Sequence, residues 1–444
     1  MMRFEIPLRP ALLGIDQFDR ALTDRITKSL TEKNGHVKMM IAAVLDTHQS
    51  NKDDTRHLRE KFAPMVVETK RDGAADFYLT LDRVPEGVTF DGENVTKSQQ
   101  DLIAEVIRDT ILTPDLRPQA SPEEVSELIY TMVGRTGIFE VDEDHPRVRT
   151  FIWGGHSIPA PEYLFAKEVG YWDGLRGMEL IIGSGGGIMK APFVGASSGY
   201  RKQRLLDRKF IGFTEQGILA GEAPNTLLNT LCVFPDIEKR MEAFIRASHR
   251  GRVHPGGTGT MEEITTFLGM KIHPENDGLV YPFDLVERPE GQYMKRLQQF
   301  FRVCFSDALD GLMEFRVESP QDYHRHVLKT NKGLVPDQLW NHDLFVPPEI
   351  QKPFEVTFDS MEALDLSREQ EPFQLIVNLR RFFSGMVYLV VKNPAIVESW
   401  GKDRPKIRGD RQIIQEVDDI VRWFNDNKRL KMELKLSQLP YRIE

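Results

Sequence analysis

The stretch His254-Pro255-Gly256-Gly257-Thr258-Gly259-Thr260-Met261-Glu262-Glu263 carries the residue types that chemistry on a phosphorylated ligand needs. Three glycines in four positions let backbone come close to a ligand and expose several N–H groups. A helix starting at Thr260, on the apolar pattern Met261, Ile264, Leu268, would aim its dipole the same way and favour a phosphate. Glu262 and Glu263 then fall in the first turn, beside whatever the loop holds. A phosphate cradle with carboxylates one turn away suits chemistry on a phosphorylated sugar. The same residues also spell a capping box, with Glu263 bonding back to the Thr260 N–H. The glycines, which a cap does not need, favour the ligand. No Gly-Lys-Ser/Thr follows, so this is not a Walker loop and ATP-type chemistry is not indicated.

The elements that must position this loop read as an α/β protein. Between residues 146 and 330 short apolar strands alternate with amphipathic helices, the sign of a parallel, doubly wound sheet. Candidate strands are Arg149–Trp153, Glu179–Ile182, Phe210–Phe213, Leu231–Phe234, Gly251–His254 and Leu279–Phe283, with helices Glu162–Val169, Ile237–Ser248 and Gln292–Phe305 between them. Ligands of such sheets sit at the carboxyl ends of the strands. The first strand ends in Gly154-Gly155-His156-Ser157, the second in Gly183-Ser184-Gly185-Gly186-Gly187, and the fifth in the Pro255–Thr260 loop. Residues 1–145 read as a mixed α/β domain: His36–Leu45 is of strand or short-helix length, Asp76–Leu81 alternates like a strand, and Ser98–Leu112 is helical. Pro114, Pro118 and Pro122 punctuate this region, and Ser121-Pro122 opens a helix through about Val133. After residue 330, Pro336, Pro347, Pro348 and Pro353 break the periodicity. Residues 331–444 then read as a third α/β unit with a helix over Phe373–Phe383, a strand-sized run Met386–Val391 and a helix carrying Ile413, Val417, Ile420 and Phe424.

Composition narrows the function. With 444 residues, 40% hydrophobic and 28% charged, the chain is an ordinary soluble protein of two or three domains. A net charge of −9 argues against sequence-independent nucleic-acid binding. Cys232 and Cys304 lack metal-ligand spacing and make no disulfide framework, which fits a reducing cytoplasm. The N-terminus has no signal-peptide core, and the apolar runs are too short to span a membrane, so no membrane is expected as a partner.

Other site chemistries fit poorly. Gly183–Gly187 resembles a dinucleotide turn but lacks its spacing, because position 188 is Ile and the loop follows the second strand rather than the first, so a generic nucleotide or phosphate contact is favoured. His156 and Ser157 lack a Gly-x-Ser-x-Gly elbow and read as ligand contacts instead. His249, His254 and His273 have no zinc spacing. Arg240 has two readings: an exposed helical ion pair with Asp236, four residues before it, or a side chain projecting into the cleft.

Pro255-Gly256-Gly257-Thr258-Gly259-Thr260, closed by Glu263, resembles the Pro-Gly-Gly-x-Gly-Thr-x-x-Glu signature of the Lonely Guy (LOG) phosphoribohydrolases. Gly183–Met189 is similar to that family's other motif, and Arg240, fifteen positions before Pro255, matches its catalytic arginine. The runs Trp153-Gly154-Gly155-His156-Ser157-Ile158 and Pro235-Asp236-Ile237-Glu238-Lys239-Arg240 resemble the long bacterial form of the family. So do the large flanks, including Asn378-Leu379-Arg380-Arg381-Phe382-Phe383-Ser384-Gly385, and the likeness covers nearly the whole chain.

The resemblance implies a Rossmann-like core flanked by smaller N- and C-terminal α/β domains. It implies hydrolysis of the N-glycosidic bond of purine and pyrimidine nucleoside monophosphates to free base and ribose 5-phosphate, with no metal and no organic cofactor. It also implies a homo-oligomer, dimer or tetramer, regulated in the stringent response by guanosine tetra- or pentaphosphate. On this reading Glu263 stabilises an oxocarbenium-like state or orients water, and Arg240 pairs with substrate or favours departure of the base. The N–H groups of Gly256, Gly257, Thr258, Gly259 and Thr260 hold the phosphate, the Thr260 hydroxyl assists, and Glu262 holds the ribose hydroxyls or orients its neighbour. Gly155, His156, Ser157, Gly185, Gly186, Gly187 and Met189 supply further contacts. The basic pair Lys70-Arg71 is either an alarmone contact or plain surface charge. Lys190 and Met241 stand where short plant-type members have glycine and lysine, which argues for ordinary nucleotides over cytokinin riboside monophosphates. Two further readings are a pyridoxal-dependent lysine decarboxylase, for which Lys190 and Lys271 lack a pyridinium partner, and a nucleotide sensor without turnover.

Overall fold

The computed structural model of the chain describes residues 1–32, 34–46, 55–72, 76–88, 95–114, 116–117, 120–140, 147–334, 340–401, 403–430 and 439–443. Pro118, Pro336 and the expected boundary at 145/146 lie outside these residues. The chain divides into two compact units: Met1–Glu140, Ile181–Gly185 and Lys209–Ala243 in one, Val141–Leu180, Gly186–Arg208 and Phe244–Glu444 in the other.

In the first unit, β1 (Met2–Pro7), β2 (Val66–Asp72) and β3 (Asp76–Val84) form an antiparallel sheet in the order β1-β3-β2. With them go α1 (Arg20–Glu32), α2 (Asn34–Leu45), α3 (Lys97–Ile107) and α4 (Pro122–Gly134). The run His36–Leu45 is therefore helix, not strand. Helices α3 and α4 begin as the sequence asks, with reciprocal capping boxes Thr96/Gln99 and Ser121/Glu124 and Pro122 in the first turn. Lys70 is paired with Glu5 at 3.0 Å.

Among the described residues seven strands form the main sheet: β4 (Arg149–Trp153), β5 (Glu179–Ile182), β6 (Ile211–Glu215), β7 (Thr230–Phe234), β8 (Arg250–Val253), β9 (Phe283–Glu287) and β10 (Glu314–Val317). They run parallel in the order β10-β9-β8-β4-β5-β6-β7. Strands β4 to β9 are buried along their whole length, as a parallel sheet covered on both faces requires. The flanking helices are α5 (Ala160–Leu175), α6 (Ala191–Gln203), α7 (Ile237–Arg246), α8 (Thr258–Ile272), α9 (Tyr293–Phe305) and α10 (Pro320–Thr330). The chain steps from β4 outward to β7, then returns to place β8 on the other side of β4. That reversal is the switch point at which such sheets bind ligands.

Two strand expectations are corrected. The sixth strand is Phe283–Glu287 rather than Leu279–Phe283. Pro282 has no N–H to give a ladder, and Asp284 and Glu287, which look like surface residues, are buried with partners. The run Met386–Val391 is not a strand: α11 (Pro372–Val387) continues through a π-helical turn to Lys392. By length and composition this 21-residue helix could cross a membrane, against the expectation from the sequence, but 67% of its apolar window is buried and it packs on α8. The amphipathic helix α12 (Arg411–Asp426) forms as expected.

Among the described residues strand β7 ends the sheet, and its outer edge is met by side chains instead of another strand. The N–H groups of Leu231 and Val233 donate to Glu105 and Asp109 at 2.9 Å each, and Arg108 donates to the Leu231 carbonyl at 3.1 Å. Burial pushes the Glu105 carboxyl up to about 8, against the pull of Arg108. The folded chain thus keeps a proton that the unfolded chain releases in the usual carboxylate range. Stability contributed by this proton is full at low pH and is lost as pH rises through about 8. Glu105→Gln keeps an acceptor for Leu231 and removes the titration. Its urea midpoint is expected to fall less than that of the wild type between pH 5 and pH 9; parallel profiles would contradict this.

In the second unit the face of β8 that carries Arg250 and Arg252 is charged yet buried. Arg252 forks onto Asp173 of α5 at 2.6 and 2.9 Å, and its Nε donates to the Tyr323 hydroxyl at 3.1 Å. That hydroxyl donates to Asp284, which also pairs with Arg250. Burial alone would raise the Asp284 carboxyl, but Arg250, His326 and Tyr323 together hold it down to about 2. The opposite face of the sheet meets an aromatic cluster of Phe151, Trp153, Phe244, Phe267 and Phe283.

Candidate active site

Three glycine-bearing turns were expected at strand ends, and helix packing fixes two of them against each other. Helix α5 follows the β4 turn and α6 follows the β5 turn. The two helices cross backbone to backbone, such that a Cβ at Gly195 would lie 1.8 Å from the Lys167 carbonyl. Their starts cannot separate without opening that crossing. The turns touch accordingly: the Ile188 N–H donates to the Gly155 carbonyl at 3.0 Å, and the His156 ring lies on Gly186, 3.2 Å from where a Cβ would be. Gly187 has φ +59°, and a side chain there would overlap the His156 carbonyl at 2.2 Å. Met189 closes the turn through its N–H to Gly186 at 3.0 Å. His156, Ser157 and Met189 are half-buried around it.

The β8 loop joins the same group. Gly155 N–H donates to Pro255 O at 2.9 Å, and a Cβ on Gly256 would lie 2.8 Å from Gly155 N and 2.0 Å from the Thr260 hydroxyl. Helix α8 begins at Thr258, two residues earlier than expected, with Gly257 as N-cap and no side-chain cap. This removes the capping-box reading of Glu263: Thr260 is the third helical residue, not the cap. The first intrahelical bond is Met261 N–H to Gly257 O at 3.1 Å. The N–H groups of Thr258, Gly259 and Thr260 therefore have no acceptor within the helix. Glu263 lies one turn on from Gly259 and Thr260 on the same stripe, half-buried, and helical side chains lean toward the N-terminus. Glu262 is buried at 4% exposure on the stripe of Thr258. His254, just before the loop, is a core residue: burial, then Arg252, hold its imidazole well below the usual range, edge-on to Phe165.

Gly185 and Arg240 belong to the first unit. The carbonyls of Ser184 and Gly185 accept from the Asn225 amide at 3.3 and 3.4 Å, a contact that sequence reasoning did not find. Arg240 is 4% exposed, and its Nε donates to the Phe213 carbonyl at 2.9 Å. Asp236 is occupied with Lys239, so the exposed Asp236–Arg240 pair does not describe a buried arginine.

Sequence comparison gives the family. Residues 325–444 match the family "Pyrimidine/purine nucleotide monophosphate nucleosidase, C-terminal", and residues 194–311 match "Possible lysine decarboxylase". The pyrimidine/purine nucleotide 5′-monophosphate nucleosidases of three Escherichia coli strains are each 34% identical over 406 residues, covering 86% of this chain and 87% of theirs. The chain belongs to this nucleosidase family. Its glycine loop, its open helix start and Glu263 all lie within residues 194–311, which match the second family model. Solved structures of a molybdenum cofactor carrier protein from Chlamydomonas reinhardtii and a molybdenum cofactor binding protein from Rippkaea orientalis are each 16% identical. They cover 42% and 41% of this chain and 99% and 96% of their own, with TM-scores of 0.31 and 0.30, a likeness too slight to bear on the nucleosidase assignment.

Proposed function

We propose that the protein hydrolyses the N-glycosidic bond of purine and pyrimidine nucleoside 5′-monophosphates, giving free base and ribose 5-phosphate. The observation that carries this is the uncapped start of α8, with Glu263 one turn along the same stripe. The N–H groups of Thr258, Gly259 and Thr260 take the phosphate, with the helix dipole behind them. Glu263 faces the ribose, where it stabilises the oxocarbenium-like state or orients the attacking water. Glu262 supports the ribose side. Arg240 assists departure of the base, an assignment supported by its match to the family's arginine. The substrates named for the relatives support ordinary nucleotides. The phosphate is the handle, so AMP, GMP, CMP and UMP should be turned over on the order of 10²-fold or more faster than their nucleosides. Equal rates on AMP and adenosine would contradict this.

Gly259 supports the same reading. Among the described residues a Cβ there meets only Val387 at 3.8 Å, an ordinary contact, so their packing does not require this glycine. Gly259→Ala should be as stable as the wild type, or more so by about 0.5–1 kcal/mol. Its turnover of AMP should fall on the order of 10²-fold because the methyl displaces the phosphate. Unchanged turnover would remove the ligand from this spot.

The decarboxylase reading gains no support from the geometry: Lys271 is at the far end of α8 from the loop, bonded to the Leu279 carbonyl. We also propose a cytoplasmic homo-oligomer, dimer or tetramer, with alarmone control. The buried free thiols of Cys232 and Cys304 support that compartment. The division into 1–145, 146–330 and 331–444 is proposed too, and the family match beginning at residue 325 supports its second boundary.

A further inference from the structure

Helix α12 ends in a turn shaped to reach the glycine loop. Lys428 takes the left-handed region, φ +54°, and the Arg429 N–H then bonds back to the Phe424 carbonyl at 2.8 Å. This is the six-to-one bond of a Schellman cap, at a position where glycine or asparagine is usual. The turn delivers the Arg429 carbonyl onto Gly257: a Cβ there would lie 2.3 Å from that oxygen and 3.6 Å from Leu430 Cδ2. The chain's own C-terminal segment therefore demands a glycine at 257, independently of any ligand.

The Arg429 side chain is anchored separately. Its two terminal nitrogens donate to both oxygens of Glu162 at 3.0 and 2.6 Å, and both side chains are 8% exposed. The guanidinium also lies 4.9 Å from the centre of the Tyr293 ring and 5.4 Å from that of Trp423. Glu162 sits in the first turn of α5, just after the β4 loop. One arginine thus joins the loops after β4 and β8, the two that flank the switch point. Tyr293 itself is fully buried, so this stacked arginine is sealed from water on that side.

We propose that Arg429 is a positioning residue for the substrate phosphate. It holds Gly256 and Gly257 in the conformation that leaves the first N–H groups of α8 open. Glu162 neutralises its charge, so Arg429 acts through the loop and is not itself a phosphate ligand. The inference rests on the nucleotide reading of that loop.

The test compares wild type with Arg429→Lys, Arg429→Met and the double variant Glu162→Gln/Arg429→Met. The double variant leaves no buried charge unpaired and so guards against misfolding. Steady-state rates on AMP are measured with inhibition by ribose 5-phosphate and by adenine. KM for AMP and the inhibition constant of ribose 5-phosphate should rise on the order of 10-fold or more in every variant, with adenine inhibition unchanged. Lysine should not rescue, because an ammonium cannot fork onto both Glu162 oxygens. Unchanged ribose 5-phosphate inhibition in a folded variant would overturn the proposal. So would equal weakening of adenine, the mark of a merely structural role. A wild type without nucleotide turnover would instead defeat the underlying reading, and this inference with it.

Discussion

Glu263→Gln is expected to lower kcat on nucleoside monophosphates by roughly 10²–10⁴-fold while leaving the fold intact. The amide fills the same space but can neither stabilise a developing cation nor accept a proton from water. Helix α8 begins at Thr258, so Glu263 lies beyond the positions at which a side chain caps a helix. The substitution therefore removes no helix cap. Urea denaturation and single-turnover rates on the same preparation check both halves. Activity within a few-fold of wild type would remove the carboxylate from the chemistry, and a large loss of stability would make it a structural group.

The second large effect is on stability. Asp173→Ala should destabilise the protein by about 3–5 kcal/mol, because Arg252 would be left charged with no exposure to water and no carboxylate. Removing both charges, as Asp173→Leu/Arg252→Met, should cost much less, since a buried pair gains little net energy over well-packed apolar groups. The double-mutant cycle measured by urea denaturation separates the pair from its parts. A single variant that loses under about 1 kcal/mol would show the network to be hydrated rather than sealed. The network also matters to the site, because β8 runs from Arg252 directly into the Pro255 loop.

What could be read from the sequence follows from where the physics is local. The apolar runs at Arg149–Trp153 and Glu179–Ile182 fell where strands form, and α12 showed its helical spacing directly. The glycine loop stood out by composition, but packing accounts for two of its glycines, Gly256 against Thr260 and Gly155 and Gly257 against Arg429, and leaves Gly259 to a ligand. The start of α8 was placed two residues late because Gly257 caps without a side chain, which leaves no capping signal to read. Strand β9 slipped along the chain because Asp284 and Glu287 look like surface residues until Arg250 and the N–H groups of Tyr293 and Met294 are seen to hold them. The run Met386–Val391 has strand composition, but helical packing of α11 on α8 overrides propensity. Arg429 and Glu162 are 267 positions apart, and no local pattern joins them.

The most direct test of the account is the product balance from AMP. Purified protein should convert it to adenine and ribose 5-phosphate in equal amounts, with neither adenosine nor inorganic phosphate formed. Adenosine with inorganic phosphate would mean that the loop serves cleavage of the phosphate ester instead of the glycosidic bond. Tight binding of AMP with no product at all would leave a nucleotide sensor built on a nucleosidase fold.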